Sequence, residues 1–279
     1  MIIRCWGSRG SIAVSGKDTL RYGGDTTCLE VESIEGDILV LDAGTGIRRL
    51  GNRLKKDGVK TVHILFTHAH WDHIIGFPFF KPLFDPQMKI FLYGGRVSHA
   101  PVTDFVKKTM CSPTFPIPMD EVHATVESKE IAEESFQIQN LTITPICLNH
   151  PNGGFGYKIT EDQTSFVFLT DNELNFSHPG GYPRDTYVSF AENSDLLIHD
   201  AEFCPDEYKA TRGWGHSCYT DVTQLAIDAQ VKTLGLFHHN QDRTDEDLDH
   251  ILQECRNEIQ AKKSSVVCTG VKQGDVFQL

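Results

Sequence analysis

The run His68-Ala69-His70-Trp71-Asp72-His73 gathers three imidazoles and a carboxylate within six residues. It follows directly on the apolar segment Thr61 to Thr67, which reads as a buried strand. Residues i and i+2 on extended backbone point to the same side, so His68 and His70 can share one ion. A helix beginning near Asp72 turns Asp72 and His73 toward a second position. Imidazole nitrogen combined with carboxylate oxygen suits zinc, and also iron or manganese. A chance H-x-H-x-D-H match is expected about 10⁻³ times in a chain of this composition, and the strand-end context makes the pattern specific.

With these residues in view, the sequence resembles the metallo-β-lactamase superfamily, whose hallmark is H-x-H-x-D-H after a strand. Leu41-Asp42-Ala43-Gly44 resembles its first motif, a strand-end Asp that supports the metal loop. Asn149-His150-Pro151, Leu169-Thr170-Asp171 and Gly235-Leu236-Phe237-His238 follow in order, each after an apolar run. The resemblance implies two divalent metal ions, zinc foremost, with manganese or iron as alternatives. One would have His68, His70, His150 and Asp171, and the other Asp72, His73, Asp171 and His238. His239 competes for the last place, and His238 is favoured because it directly follows the strand. The β-lactamases that use zinc usually have a Cys at a point comparable to Asp171. This chain shows none, so antibiotic hydrolysis is not expected. The implied fold is α/β, a four-layer αβ/βα sandwich in one domain over residues 1–279.

The elements that must hold these residues are legible as apolar runs between Gly, Asp and Asn. Strands are expected at the N-terminus (residues 1–7), Thr27 to Val31, Ile38 to Leu41, Thr61 to Thr67 and Met88 to Tyr93. A second series runs His123 to Glu127, Phe136 to Ile138, Leu141 to Cys147, Phe155 to Ile159 and Phe166 to Leu169. The tail alternates strands (Leu196 to His199, Leu234 to Phe237, Ser265 to Cys268, Val276 to Leu279) with helices (Thr220 to Ala229, Asp245 to Ala261). Gly46 to Lys56 has Ile47, Leu50 and Leu54 at helical spacing. The Pro-rich stretch Cys111 to Met119 reads as a surface loop. The pattern predicts two sheets with helices packed outside.

Two further segments bear on the reaction. Leu197-Ile198-His199-Asp200-Ala201-Glu202 ends a strand, and Gly213-Trp214-Gly215-His216-Ser217 precedes a helix. They resemble motifs of the superfamily branch that holds tRNA 3′-processing endonucleases and cyclic-nucleotide phosphodiesterases. There an acidic residue orients a histidine near the scissile phosphate, and the matching pair here is Asp200 and His216. That branch more often has Glu at the Asp200 position, so this pair works with a shorter side chain. Asp72 is expected to steer a hydroxide held between the two metals. Arg9 and Arg212 read as surface residues with a phosphate contact as the alternative. Trp71 reads as a pocket wall, a stacking surface or a packing residue. The glycines of Gly7 to Ser11 and Tyr22 to Thr27 would let backbone N–H groups approach an anion.

The bulk numbers narrow the substrate. A formal net charge of -12 repels polyanions at long range. The pairs Lys55-Lys56, Lys107-Lys108 and Lys262-Lys263 read as solvated helix faces or ends. The candidate insertion Pro101 to Val122 is too poor in base and glycine for a tRNA-gripping arm. The leading expectation is therefore a phosphodiesterase on a small phosphodiester such as a cyclic nucleotide, with large nucleic acid as a weaker partner. A tRNA 3′-end endonuclease is the alternative, and thioester or lactone hydrolysis the third. A non-catalytic sensor is disfavoured because every expected ligand position is filled. The eight cysteines are scattered singly and read as reduced, buried thiols. No apolar run approaches membrane-spanning length, and a cytoplasmic protein, with a homodimer admitted, is the expectation.

Overall fold

In the computed structural model, which describes residues 1–97 and 100–279, two seven-stranded sheets lie between outer helices. The first runs, edge to edge, Val276–Gln278, Ile2–Gly7, Cys28–Glu32, Ile38–Leu41, Thr61–Leu65, Lys89–Gly94 and Thr125–Glu130. The second runs Val267–Gly270, Thr233–Phe237, Leu196–Asp200, Thr164–Leu169, Phe155–Glu161, Leu141–Cys147 and Phe136–Ile138. Three apolar clusters separate four layers. One, with Ile3, Leu39, Leu65, Ile143, Phe166 and Phe237, lies between the sheets. A second packs the helices Tyr219–Asp228 and Asp245–Ala261 on one sheet, and a third packs Ile47–Lys56 on the other. This is the α/β sandwich implied by the sequence.

Local chemistry accounts for these elements. Ile38–Leu41 is buried throughout and pairs in parallel with Thr61–Leu65, as a strand covered on both faces must be apolar along its length. The helix Ile47–Lys56 buries Ile47, Leu50 and Leu54 on one face, and Arg53, Lys55 and Lys56 sit at its negative C-terminal end. Thr244 and Asp247 form a reciprocal capping box that starts Asp245–Ala261.

Three short helices, Val102–Lys108, Arg184–Ala191 and Pro205–Thr211, were not anticipated. About two turns are too few for a 3.6-residue period to emerge. The strand expected from His123 begins at Thr125, and its exposed, charged side chains suit an edge. Cys111 is exposed and Cys147 and Cys204 are half-buried, so the expectation of buried thiols fails for these three. Among the described residues no helix is long and apolar enough to cross a membrane.

Candidate metal centre

Both sheets contain parallel strands, and the site forms beyond their C-terminal ends. Side chains in that crevice are the ones an open α/β sheet offers to a ligand. Asp42 follows Leu41, the His68–His73 run follows Leu65, Asp171 follows Leu169 and His238 follows Phe237. Asp42, Asp171 and His238 all have positive φ, at 61°, 54° and 54°. Non-glycine residues adopt this region at a cost, and three of them converge on one site.

The imidazoles are oriented from behind. Asp42 accepts hydrogen bonds from the Thr67 backbone N–H and hydroxyl, both at 2.8 Å, and its Oδ2 lies 2.8 Å from His73 Nδ1. Because the Thr67 hydroxyl donates to Asp42, it is left to accept from His68 Nδ1 at 3.0 Å. His150 Nδ1 donates to the Gly215 carbonyl at 2.9 Å, and His238 Nδ1 to Glu202 Oε2 at 2.9 Å. Each contact assigns the Nδ1 proton and frees Nε2 for the site.

Asp171 stands between two histidine pairs. Its Oδ1 is 3.3 Å from His73 Nε2 and 3.4 Å from His238 Nε2. Its Oδ2 is 3.6 Å from His68 Nε2 and 3.8 Å from His150 Nε2. His68, His70, His150 and Asp171 offer ligand atoms that all lie within 4.8 Å of one another, and so do those of Asp72, His73 and His238. Asp171, His216 and His238 form a third such group.

Two observations fit a pair of divalent cations. His68 Nε2 and His73 Nε2 are buried without a hydrogen-bond partner, and orphaned atoms of this kind call for an occupant. The donor set is all imidazole and carboxylate, which suits zinc, iron or manganese and leaves the ion's identity open. Electrostatics agree. Burial opposes charge on His73 and His238, yet the carboxylates of Asp72 and Asp171 beside both hold their pKa values well above the ordinary range. Burial likewise opposes charge on Asp72 and Asp171, and the neighbouring histidines pull both well below it. His68 is driven well down, by burial first and then by His73.

His239 turns away from this cluster. Its Nε2 donates to the Val271 carbonyl at 2.8 Å, its ring packs on Tyr22, and burial depresses its pKa to about 3. His216 stacks on His238 with ring centroids 4.7 Å apart. Its Nδ1 is 3.5 Å from Glu202 Oε2, 3.8 Å from Asp200 Oδ2 and 3.9 Å from Asp171 Oδ2. Asp200 is committed elsewhere, because its oxygens accept from the backbone N–H groups of Asn172 at 2.9 Å and Ser217 at 2.7 Å. Glu202 is thus the nearer acid, and sequence reasoning gave it no role. A signal was present, since residues two apart at a strand end face the same side.

Other expectations change. Arg9 is no surface residue: it is fully buried, and its guanidinium donates to the carbonyls of Gly23, Asn240 and Arg243. Arg212 lies over the Phe176 ring, 5.7 Å from its centroid. Two glycine N–H groups of the glycine loops are used within the protein. Gly10 N–H donates to the His239 carbonyl, and Gly24 N–H to Gln273 Oε1. Gly10 serves close approach instead, as a Cβ there would lie 2.2 Å from His238 Nδ1. Trp71 is 63% exposed, which removes packing as its role.

Fold and site together define a metal-dependent hydrolase. The family model described as a beta-lactamase superfamily domain matches residues 38–239, and the chain belongs to the metallo-β-lactamase superfamily. The ribonuclease Z of Haloarcula marismortui is 22% identical over 248 residues, covering 73% of this chain and 77% of that protein. That of Sulfolobus acidocaldarius is 26% identical over 245 residues, covering 73% and 79%. Among solved structures, the metallo-β-lactamase fold protein YhfI of Bacillus subtilis superposes with a TM-score of 0.70 at 18% identity, covering 99% of this chain and 98% of that one. Human tRNase Z, short form, gives 0.66 at 19% identity, covering 100% and 99%.

Proposed function

We propose that this chain is a dinuclear metal-dependent phosphodiesterase that cleaves RNA, as its ribonuclease Z relatives are named for doing. The observation that carries the reading is His216, an imidazole beside the candidate ligands whose Nδ1 lies 3.5 Å from the buried carboxylate of Glu202. An alkoxide leaving group needs a proton, and an imidazolium beside a carboxylate can supply one. Thioester or lactone hydrolysis would leave this arrangement without a task.

The proposed ligands are His68, His70, His150 and Asp171 for one ion, and Asp72, His73, Asp171 and His238 for the other. When bound, two such ions acidify water and neutralise charge on phosphoryl oxygens. The chain itself orients and protonates. Asp42, Thr67, Gly215 and Glu202 fix the imidazoles that face the site. Asp72 accepts from the Ser11 backbone N–H at 2.9 Å, and its carboxylate is placed to take a proton from the attacking water. With Glu202 at Nδ1, Nε2 of His216 is the nitrogen left to protonate the departing oxygen.

The relatives favour RNA over the cyclic nucleotide that the net charge and the base-poor insertion put first. The small phosphodiester remains the second reading on a specific observation: the net charge of -12, with only Lys107 and Lys108 basic in residues 101–122. A panel of a tRNA precursor, cyclic nucleotides, bis(p-nitrophenyl) phosphate, a thioester and a lactone, offered to metal-loaded protein, tests both. Cleavage of the precursor and of bis(p-nitrophenyl) phosphate is expected. Cyclic-nucleotide turnover without RNA cleavage selects the second reading, and activity confined to the thioester or lactone overturns both.

A further inference from the structure

Two tryptophans, Trp71 and Trp214, are each 63% exposed. Both are attached to the site. Trp71 stands between His70 and Asp72, and Trp214 precedes Gly215 and His216. A continuous bridge of contacts joins them. His70 Nδ1 is 3.0 Å from His150 Nε2, and His150 Nδ1 donates to the Gly215 carbonyl at 2.9 Å. The residues that carry the two indoles thus flank the His70–His150 pair at the two ends of this bridge. Of the seven proposed ligands only His70 is not buried, so solvent reaches the site at His70. A cavity of about 170 Å³ opens there, lined in part by His68, His70 and Phe105.

The Trp214 loop is held firmly although its indole faces water. The wholly buried carboxylate of Glu173 accepts from Gly213 N–H at 2.7 Å and Gly215 N–H at 2.8 Å, on either side of Trp214. It also accepts from Tyr208 Oη at 2.8 Å and pairs with His178 Nε2 at 2.9 Å. Gly213 and Gly215 have φ of 89° and 95°, a conformation that other residues rarely adopt. A loop fixed by a buried carboxylate, with its largest apolar surface turned outward beside a reaction site, is a preformed platform for a flat ligand.

We propose that Trp71 and Trp214 form a stacking subsite for a nucleobase next to the scissile phosphate, with Glu173 as the positioning residue of the Trp214 wall. This rests on the phosphodiesterase reading and narrows its substrate to phosphodiesters that carry a base. Stacking is tolerant of base identity, because every base offers a π-face.

The test compares adenosine 5′-monophosphate with methyl phosphate by calorimetry on metal-loaded protein, and adenosine 5′-(p-nitrophenyl) phosphate with methyl p-nitrophenyl phosphate by turnover. The wild type is expected to favour the nucleoside compound of each pair by about tenfold or more. Trp71→Ala and Trp214→Ala each reduce that preference about tenfold, and Trp71→Phe and Trp214→Phe keep most of it. Glu173→Gln reduces it in the same direction through the loop. A preference near one in the wild type, or one unmoved by both alanine variants, overturns the subsite. Binding preference without turnover of either ester would instead remove the phosphodiesterase reading and leave the subsite standing.

Discussion

Glu202 Oε2 lies 2.9 Å from His238 Nδ1 and 3.5 Å from His216 Nδ1, so a single buried carboxylate holds one ring and faces a second that stacks on it. Its Oε1 accepts from Asn240 Nδ2 at 3.0 Å, which fixes the carboxylate in turn. Carboxylates behind ligating histidines set tautomer and basicity, and their loss costs about 10–100-fold in metal affinity or activity. Glu202→Ala is expected to fall in that range in both, as read by metal analysis and by phosphodiester turnover. Glu202→Gln, which still accepts from Nδ1–H, should recover most of the metal affinity. Full metal content and turnover in the alanine variant would deny Glu202 this role.

Gly10 offers an independent handle on His238. Its backbone φ is not in the left-handed region, so alanine is conformationally allowed there. The added Cβ, however, would press on the His238 ring. Gly10→Ala should therefore leave the far-ultraviolet circular dichroism spectrum intact while lowering the affinity of the second ion about tenfold or more. An unchanged metal titration would show that the ring can move aside at no cost.

Metal retention should depend on pH with a definite sign. In the metal-free chain burial opposes protonation of His73 and His238, but the surrounding carboxylates raise both pKa values well above normal. A raised folded pKa stabilises the metal-free fold below the unfolded value of about 6.5, and this is lost as pH rises through the folded value. Metal binding must displace those protons and so competes with acid. The lowered pKa values of Asp72 and Asp171 act only at pH below the ordinary carboxylate range. The Tm difference between metal-loaded and chelator-treated protein should widen from about pH 6 to about pH 8. A constant or narrowing difference would contradict the assignment of these rings as ligands.

His216 separates chemistry from metal binding. His216→Ala is expected to lower phosphodiester turnover about 10²-fold, the usual scale for a general acid, with little change in metal content. Turnover at the wild-type level would remove His216 from the mechanism.

The legible parts of this protein are those where chemistry is contiguous in the chain. His68 to His73 declare themselves because six adjacent residues carry four donors after an apolar strand. The central parallel strands declare themselves because burial on both faces demands unbroken apolar runs, as at Ile38–Leu41. What stayed hidden depends on partners distant in sequence. Asp200 and Glu202 share a side of the chain, and only the backbone N–H groups of Asn172 and Ser217 determine that Asp200 is consumed by the loops. Arg9 is charged, and nothing local indicates that carbonyls over 200 residues away enclose it. Glu173 looks like a loop acid until four donors are found around it.

A phosphodiesterase built on two metal ions needs both for turnover. Its most direct measurement is the initial rate on bis(p-nitrophenyl) phosphate as zinc or manganese is titrated into metal-free protein, with bound metal determined at each point. The rate is expected to rise mainly as the second ion per chain is taken up, and then to saturate. Full rate at one ion, or no phosphodiester turnover at two while a thioester or lactone is hydrolysed, would contradict it.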